Sequence, residues 1–219
     1  MLRKDSVIVF QGDSITDMGR QRDLPEGTPN YKLGGGYPTM VAGDLLSRYP
    51  EDHLRFFNRA VSGDRVSDIL ARWKTDCINL EPNVVSLLCG GNDTFQEHAS
   101  RNGINLSYGE KAYRLLVEYT LESLPGVQMI LGEPFVFAYG KTPEMTTVHA
   151  LYISEVRQRA AYIRKIAKDY DLLFVPYWEM FDKLLSAQPV SYWSYDGIHP
   201  TVAGQRKMAD LWISVVEGK

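Results

Sequence analysis

Five short apolar runs alternate along the chain with longer segments in which apolar residues recur every three or four positions. The runs lie at residues 6–11, 54–58, 84–89, 128–132 and 172–175. Their length is typical of β-strands, and the periodic segments are long enough to be helices. Strands that alternate with helices are typically parallel and joined by right-handed crossovers. The pattern therefore predicts an α/β fold with a five-stranded parallel sheet.

Two of the periodic segments predict helices that cover this sheet. The connection before the last strand places apolar residues on one stripe, at Ile153, Val156, Ala160, Ile163, Ala167 and Tyr170. The last helix is signalled by Pro200 and Thr201, and its apolar side carries Met208, Trp212 and Val215. With helices on both faces of the sheet, we expect a three-layer α/β/α sandwich. We expect the last helix to anchor the loop before it.

Two connections are longer than a compact fold needs. They run from Met18 to Leu33 and from Thr94 to Ser107, and both are predicted to be loops. Each of them flanks a segment with candidate chemistry. We therefore expect these loops to form the walls of a substrate cleft.

Composition adds limits on size, partners and location. The chain has 219 residues, of which 44% are hydrophobic, and contains no linker, so one domain over residues 1–219 is predicted. Its net charge of -3, without a block of like charge, argues against nucleic-acid or anionic-membrane partners. The first apolar run is too short for a signal peptide or a membrane span, so we expect a cytoplasmic protein.

No metal or organic cofactor is predicted. Three histidines, His53, His98 and His149, are scattered without the spacing of metal ligands. Cys77 and Cys89 fall at a predicted helix end and just after a strand. We expect both cysteines to be buried free thiols rather than a disulfide or a metal site.

Residues that suit nucleophilic catalysis lie near the two ends of the chain. Ser14 follows the first apolar run, at the end of a strand where open α/β sheets keep their active sites. A serine hydroxyl needs an adjacent base to take its proton. His199 can serve as that base, and Asp196, three positions before it, can fix the tautomer of the ring. These residues predict a nucleophile, a base and an orienting acid.

Two further segments can supply hydrogen-bond donors to an oxyanion. Gly63 follows the second run, and a glycine backbone N–H can approach a ligand without a side chain in the way. Asn92 follows the third run, and its amide carries two donors.

Each candidate also has a purely structural interpretation. Ser14 could cap a turn, and Asp196 and His199 could be a helix cap and a surface histidine. Gly63 and Asn92 could serve only the turns in which they lie. The joint occurrence of all five residues favours the catalytic interpretation.

Four sequence blocks, in this order, resemble the SGNH hydrolases, also called the GDSL esterase/lipase family. The blocks are Gly12-Asp13-Ser14, Asn58 to Gly63, Gly90 to Asp93, and Asp196 to His199. One block alone occurs by chance in many proteins, whereas four in order over nearly the whole chain are specific. The Gly-x-Ser-x-Gly signature of α/β-hydrolases is absent around Ser14.

The resemblance implies a flavodoxin-like SGNH hydrolase fold and a role for each matching residue. Ser14, Asp196 and His199 would form the catalytic triad. The backbone amides of Ser14 and Gly63 and the side chain of Asn92 would form the oxyanion hole.

Within this family the likeness is greatest to single-domain bacterial acetylxylan esterases. It rests on residues 12–17 with Gly19-Arg20, on 35–37, on 71–73 and on 199–204. It implies a serine esterase that removes acetyl groups from acetylated carbohydrates, acting on a small-molecule or oligosaccharide ester. By analogy with similar esterases, it also implies a homo-oligomer.

The expected substrate-binding residues are Asp13, beside the nucleophile, and three aromatics just before Asp196, namely Tyr192, Trp193 and Tyr195. The aromatics could stack on a sugar ring or pack in the core, and both interpretations stay open.

Two other functions stay open as well. An SGNH esterase or lysophospholipase-like enzyme for longer acyl chains would need an apolar groove, which the polar segment 94–107 does not indicate. A non-catalytic carbohydrate-binding relative is disfavoured by the intact Ser14, Asp196 and His199.

Overall fold

The five predicted strands are all present in the computed structural model, which describes residues 2–25, 29–138 and 143–218. For residues 29–30 and 143–149 it describes the backbone alone. The strands are β1 (Val7–Gly12), β2 (Arg55–Asn58), β3 (Val84–Leu88), β4 (Gln128–Gly132) and β5 (Leu173–Val175). The helices of the described residues are α1 (Ser14–Asp17), α2 (Pro29–Leu33), α3 (Tyr37–Arg48), α4 (Val66–Asp76), α5 (Gly91–Ser100), α6 (Leu106–Ser123), α7 (Pro143–Asp169), α8 (Tyr177–Leu184), α9 (Val190–Trp193) and α10 (Val202–Glu217).

All strand pairs of the sheet are parallel, and the strand order is β2-β1-β3-β4-β5. The chain passes from β1 to the edge strand β2 and then returns across β1 to β3. The connections therefore diverge between β1 and β3. In open α/β sheets, ligands bind at such a switch point, outside the carboxyl ends of the strands. Ser14 follows β1 there, and Asn92 follows β3.

Both faces of the sheet are buried, as the side-chain alternation along β1 shows. Ile8 and Phe10 pack in one hydrophobic cluster with residues of α3, α8 and α10. Val7 and Val9 pack in a second cluster with residues of α4, α6 and α7. Because successive side chains of a strand point to opposite faces, these clusters lie on opposite sides of the sheet. The molecule is thus the three-layer α/β/α sandwich that the pattern predicts.

The last helix is fixed at both its start and its apolar face. The Thr201 hydroxyl oxygen accepts a hydrogen bond from the Gly204 N–H at 3.3 Å, and the hydroxyl donates to the Tyr192 carbonyl at 2.7 Å. Met208 and Trp212 are fully buried, and the indole N–H of Trp212 donates to Ser86 Oγ on β3 at 3.0 Å. These contacts hold α10, and with it the loop that carries His199, against the sheet.

The predicted loop from Thr94 to Ser107 is wrong. Helix α5 runs to Ser100 and α6 begins at Leu106, so the connection between them spans only residues 101–105. The buried residues of α5 are Asp93 and Thr94, which are polar. A helix that buries polar residues produces no apolar stripe, so hydrophobic periodicity did not reveal it.

Within the other predicted loop, Met18 to Leu33, the structure has α2 from Pro29 onward. Residues 26–28 lie outside the described part of the chain. Cys77 and Cys89 are buried and unpaired, as predicted. Over the described residues, none of the helices is both long and apolar enough to cross a membrane.

We predict that Gly12→Ala destabilises the protein by about 1–3 kcal/mol or more, as overpacking typically does. A Cβ on Gly12 would lie 2.3 Å from the Leu88 carbonyl oxygen of β3 and 2.7 Å from Thr16 Oγ1. The control is Gly43→Ala, whose Cβ has no described atom within 4 Å. Gly43→Ala should leave stability unchanged or raise it by up to about 1 kcal/mol. Urea unfolding measures both variants, and equal midpoints for the two would contradict the prediction.

Candidate active site

Ser14, His199 and Asp196 form one line of hydrogen bonds at the switch point of the sheet. Ser14 Oγ lies 2.7 Å from His199 Nε2. On the other side of the ring, His199 Nδ1 lies 2.6 Å from Asp196 Oδ2. An ionised carboxylate only accepts hydrogen bonds, so Nδ1 carries the proton and Nε2 faces the serine as an acceptor.

The loop of His199 is held by its own backbone. The second carboxylate oxygen of Asp196 accepts hydrogen bonds from the N–H of Ile198 at 2.9 Å and of His199 at 2.7 Å. Ser194, which is fully buried, accepts from the Gly197 N–H and donates to the His199 carbonyl, both at 2.9 Å. Ser194 was not predicted from the sequence, because no sequence pattern separates a serine in this role from a serine at the surface.

Burial and hydrogen bonds move the pKa values of the two acids in opposite directions. Burial alone would raise the pKa of Asp196, but hydrogen bonds from the His199 ring and from the backbone of His199 and Ile198 outweigh it, so the pKa is lowered. Asp13 is almost fully buried, and this burial raises its pKa to about 7, partly offset by the Ile15 N–H and by His199. The ionised form of Asp196 is therefore favoured, whereas the pKa of Asp13 lies close to neutral pH.

The proposed oxyanion donors converge on the same edge of the sheet. The Asn92 amide donates one hydrogen to the Asp64 carbonyl at 3.2 Å, which leaves its second hydrogen for a ligand. Gly63 lies in a turn with φ of +88°, a value that favours glycine. Among the described residues, neither the Ser14 nor the Gly63 backbone N–H has a hydrogen-bond acceptor.

A polar network beneath the Gly63 loop was not predicted. Asp17 accepts hydrogen bonds from the Ser62 N–H at 2.9 Å and from its hydroxyl at 2.7 Å. Burial would raise the pKa of Asp17, but these bonds and Arg22 lower it. Asn58 donates to the Thr16 carbonyl at 2.7 Å and so joins β2 to α1. Asn58 lies in the second family block and Asp17 in the stretch 12–17 that resembles acetylxylan esterases, but the resemblance assigned neither of them a role.

Arg72 anchors the neighbouring residues from below. Its guanidinium donates to the Asp64 carboxylate at 2.8 Å, to the Arg59 carbonyl at 2.6 Å and to Asp76 at 2.9 Å. The carbonyl of this same Asp64 accepts from Asn92. Arg72 therefore fixes the surroundings of both Gly63 and Asn92.

A cavity of about 250 Å³ opens beside Ser14 and His199. Its polar residues are mainly those of the site itself. Its remaining wall is apolar and comes largely from the end of β4, α5 and α7, through Phe95, Pro134, Phe135, Val136, Tyr152 and Val156. Thr94 and Phe95 line it, although from a helix and not from the predicted loop. Of the described side chains of residues 18–25 and 31–33, none lines it.

The predicted substrate-binding residues occupy different places. Asp13 lines the cavity. Tyr195 is exposed and stacks on the His199 ring, with 5.6 Å between centroids and 11° between planes. Trp193 is buried in the core, where its indole N–H donates to the Leu184 carbonyl at 3.2 Å, so packing is its role. Tyr192 is half exposed and contacts Trp193 edge to face.

Residues 2–25, 29–138 and 143–218 contain no group of three or more His, Cys, Asp or Glu side chains that could hold a metal ion. His98 lies 2.8 Å from Glu155 and is thereby paired. The side chain of His149 lies outside the described residues.

Comparisons with known proteins identify a matching family and similar sequences and structures. The model of the GDSL-like lipase/acylhydrolase family matches residues 10–207. The acetylxylan esterase of Geobacillus stearothermophilus is 32% identical over 211 residues, which cover 94% of this chain and 91% of that protein. Its crystal structure matches with a TM-score of 0.82, at 30% identity over 98% of this chain and 95% of that one.

A second solved structure is still more similar in shape. It is a Parabacteroides merdae protein assigned provisionally as a GDSL-like lipase. Its TM-score is 0.93, at 33% identity over 100% of this chain and 99% of that one.

We predict that Asp13→Asn changes how stability depends on pH. The folded protein keeps the Asp13 proton up to a pH of about 7, whereas an unfolded chain releases it near pH 3.9. Between these values the folded state binds more protons, so Asp13 weakens folding as the pH rises, by up to about 1.4 kcal/mol per pH unit. The free energy of unfolding of Asp13→Asn should not show this decline. Toward pH 7 this variant should therefore gain stability relative to the wild type.

The measurement is urea unfolding at pH 4.5, 5.5, 6.5 and 7.5, with Asp23→Asn at an exposed position as the control. Curves of unfolding free energy against pH that run parallel for the wild type and Asp13→Asn would contradict the prediction.

Proposed function

Because the chain belongs to the GDSL-like lipase/acylhydrolase family and is a carboxylic ester hydrolase, we propose that it removes acetyl groups from acetylated carbohydrates through an acyl-enzyme on Ser14. The observation that carries this proposal is the line of hydrogen bonds from Ser14 through His199 to Asp196. Such a line is what activates a serine hydroxyl for attack on an ester.

In the first step, Ser14 Oγ forms a bond to the ester carbonyl carbon while His199 Nε2 takes its proton. The carbonyl oxygen becomes an oxyanion, stabilised by the N–H groups of Ser14 and Gly63 and by the amide of Asn92. The Asp196 carboxylate stabilises the imidazolium that has formed. As the tetrahedral intermediate collapses, the imidazolium gives its proton to the leaving alcohol, and the acyl group stays on Ser14.

In the second step, water repeats the sequence on the acyl-enzyme. His199 takes a proton from the water, whose oxygen attacks the acyl carbon at the same site. Collapse of this second intermediate breaks the bond to Ser14, returns the proton to Oγ and releases the acid. The reaction consumes one water per ester, and proton transfer in both steps uses the Ser14–His199–Asp196 line, in which neighbouring side chains lie within hydrogen-bond distance.

Support for an acetylated carbohydrate comes from the similarity to the Geobacillus stearothermophilus acetylxylan esterase, which extends over nearly the full length of both chains. Three solved variants of that esterase are described as catalytic mutants, and they replace a serine, an aspartate and a histidine. The aspartate precedes the histidine by three positions. Asp196 and His199 have the same spacing in this chain.

The apolar cavity favours a second candidate, hydrolysis of esters with an acyl chain longer than acetyl. An acetyl group carries a single methyl beyond its carbonyl, which fills only a small part of about 250 Å³. The side chains of Phe135, Val136 and Val156 would instead remove a longer chain from water, which contributes roughly 0.8 kcal/mol per buried methylene. The polar groups of a sugar would find few partners on this wall.

We predict that Ser14→Ala and His199→Ala each remove nearly all hydrolysis, because the three residues act as a unit. The substrates are acetylated xylo-oligosaccharides, with acetate release as the readout, and an eight-carbon acyl ester. Ser186→Ala and His53→Ala, at exposed positions, are the matched controls and should keep wild-type rates.

Ser14-dependent acetate release with little action on the long ester would support the acetylated-carbohydrate proposal. A preference for the eight-carbon ester would move the substrate to the second candidate. Hydrolysis that survives Ser14→Ala would overturn the mechanism.

We predict that Asn92→Ala lowers kcat by about 10²–10³, as removal of one oxyanion donor does elsewhere. Its Tm should change little, because the side chain makes one long hydrogen bond, to the Asp64 carbonyl at 3.2 Å. Steady-state kinetics and thermal unfolding give both quantities. A kcat within twofold of the wild type would remove Asn92 from the oxyanion hole.

A further inference from the structure

Two of the proposed oxyanion donors, the Asn92 amide and the Gly63 N–H, lie outside the Ser14 turn. Helix α5 carries Asn92 and contacts the Gly63 turn. Asn92 belongs to its first turn, and three hydrogen bonds tie the helix to residues 63–66. They run from Asn92 Nδ2 to the Asp64 carbonyl at 3.2 Å, from Gln96 Nε2 to the Gly63 carbonyl at 2.6 Å, and from the Val66 N–H to Asp93 Oδ2 at 3.2 Å. A shift of α5 would therefore move Asn92 and the Gly63 turn together.

This helix has little apolar anchorage of its own, since its buried residues are Asp93 and Thr94. Its buried polar anchor is Arg159 of α7, which is 1% exposed. The other polar contact between the two helices, from His98 to Glu155, lies at the surface. Arg159 Nε donates to Thr94 Oγ1 at 2.7 Å, and Arg159 Nη2 donates to the Ile104 carbonyl, just beyond α5, at 2.6 Å. The Arg159 guanidinium thus donates hydrogen bonds to both ends of segment 94–104.

The charge of Arg159 also acts on Asp93. Burial raises the pKa of Asp93, and Arg159 is the largest influence that opposes this rise, ahead of the Val66 N–H. The pKa of Asp93 stays raised overall, and the positive charge of Arg159 favours the ionised form, which accepts the Val66 N–H bond more strongly than a neutral carboxyl does. Arg159 therefore supports the contact of Asp93 with α4 in addition to its own contact with Thr94 of α5.

The packing around Arg159 is shaped to admit its side chain. A Cβ on Gly109 of α6 would lie 2.8 Å from Arg159 Nη1, so a side chain at this position would displace the guanidinium. Gly109 thus leaves room for the buried guanidinium, which is held by its hydrogen bonds to Thr94 and Ile104.

We infer that Arg159 is a positioning residue for ester hydrolysis: it fixes α5 against α7 and thereby holds Asn92 and the Gly63 turn where the oxyanion forms. This inference rests on the proposed function. Arg159 does not line the cavity beside Ser14, so its effect would pass through α5 and not through contact with the substrate.

The test compares Arg159→Met and Arg159→Lys with the wild type, well below the Tm of each variant. A donor displaced by about 1 Å can cost 10²-fold in rate, so kcat should fall about 10²-fold for Arg159→Met while KM stays within about threefold. Arg159→Lys keeps the charge and should recover part of this loss. Arg114→Met, which removes an arginine paired with Glu110 and Asp169 on the outer side of α6, should keep the wild-type kcat.

A double-mutant cycle with Asn92→Ala separates positioning from a general loss of structure. Because part of the effect of Arg159 passes through Asn92, Arg159→Met should cost several-fold less once Asn92 is already alanine, and the loss that remains reports on the Gly63 turn. An equal loss in both backgrounds, or an unchanged kcat in the folded single variant, would overturn the inference.

Crystal structures of the Arg159 variants give an answer that does not depend on activity. Asn92 and the Gly63 turn should move together relative to Ser14, by about 1 Å, and unchanged positions of both would overturn the inference. If Arg159→Met does not fold, the kinetic and the crystallographic measurements are made on Arg159→Lys. Absence of any Ser14-dependent hydrolysis in the wild type would overturn the proposed function, while the crystallographic arm would still decide the role of Arg159.

Discussion

The hydrogen bond between Ser14 Oγ and His199 Nε2 joins residues 185 positions apart, and the fold brings these two atoms to within 2.7 Å. Ser14 is set by the end of β1, where Gly12 lies so close to Leu88 of β3 that no Cβ fits. His199 is set by α10, whose Trp212 donates to Ser86 of the same β3. The positions of Ser14 and His199 are thus both set relative to the central strand β3. Because strands packed on both faces are the most rigid part of such a fold, the distance between the two side chains is fixed before any ligand binds.

Around this apolar frame, the site is built from buried polar groups. Asp17 holds Ser62, Arg72 holds Asp64, and Ser194 holds the Gly197 N–H and the His199 carbonyl. Hydrogen bonds are directional, so they fix a loop in one conformation, whereas apolar packing tolerates several. Each such group would destabilise the fold if its partner were removed. The loops that carry the donors are therefore ordered by polar contacts, and the layers beneath them by hydrophobic burial.

The sequence predicts the layers much better than it predicts these contacts. The five strands follow from their apolar runs, and the parallel sheet follows from their alternation with helices. Ser14, Asp196 and His199 were identifiable because few other roles need a serine, an acid and a histidine in these places. Helix α5 was missed because it buries Asp93 and Thr94, and Arg159 was missed because an arginine beside an apolar stripe normally faces water. For Trp193 the sequence allows both stacking on a sugar ring and packing in the core, and the structure places it in the core. These contacts depend on which residues far apart in the sequence lie next to each other in the fold. A local sequence pattern does not contain that information.

The proposed mechanism is tested most directly by a crystal structure of the protein after reaction with an alkyl phosphonate ester, which mimics the tetrahedral intermediate. We expect a covalent bond from Ser14 Oγ to phosphorus and a phosphoryl oxygen about 2.7–3.1 Å from the Ser14 N–H, the Gly63 N–H and the Asn92 amide. We also expect His199 to face the leaving-group position. Failure of Ser14 to react, or an adduct whose oxygen points away from Gly63 and Asn92, would contradict the proposed mechanism.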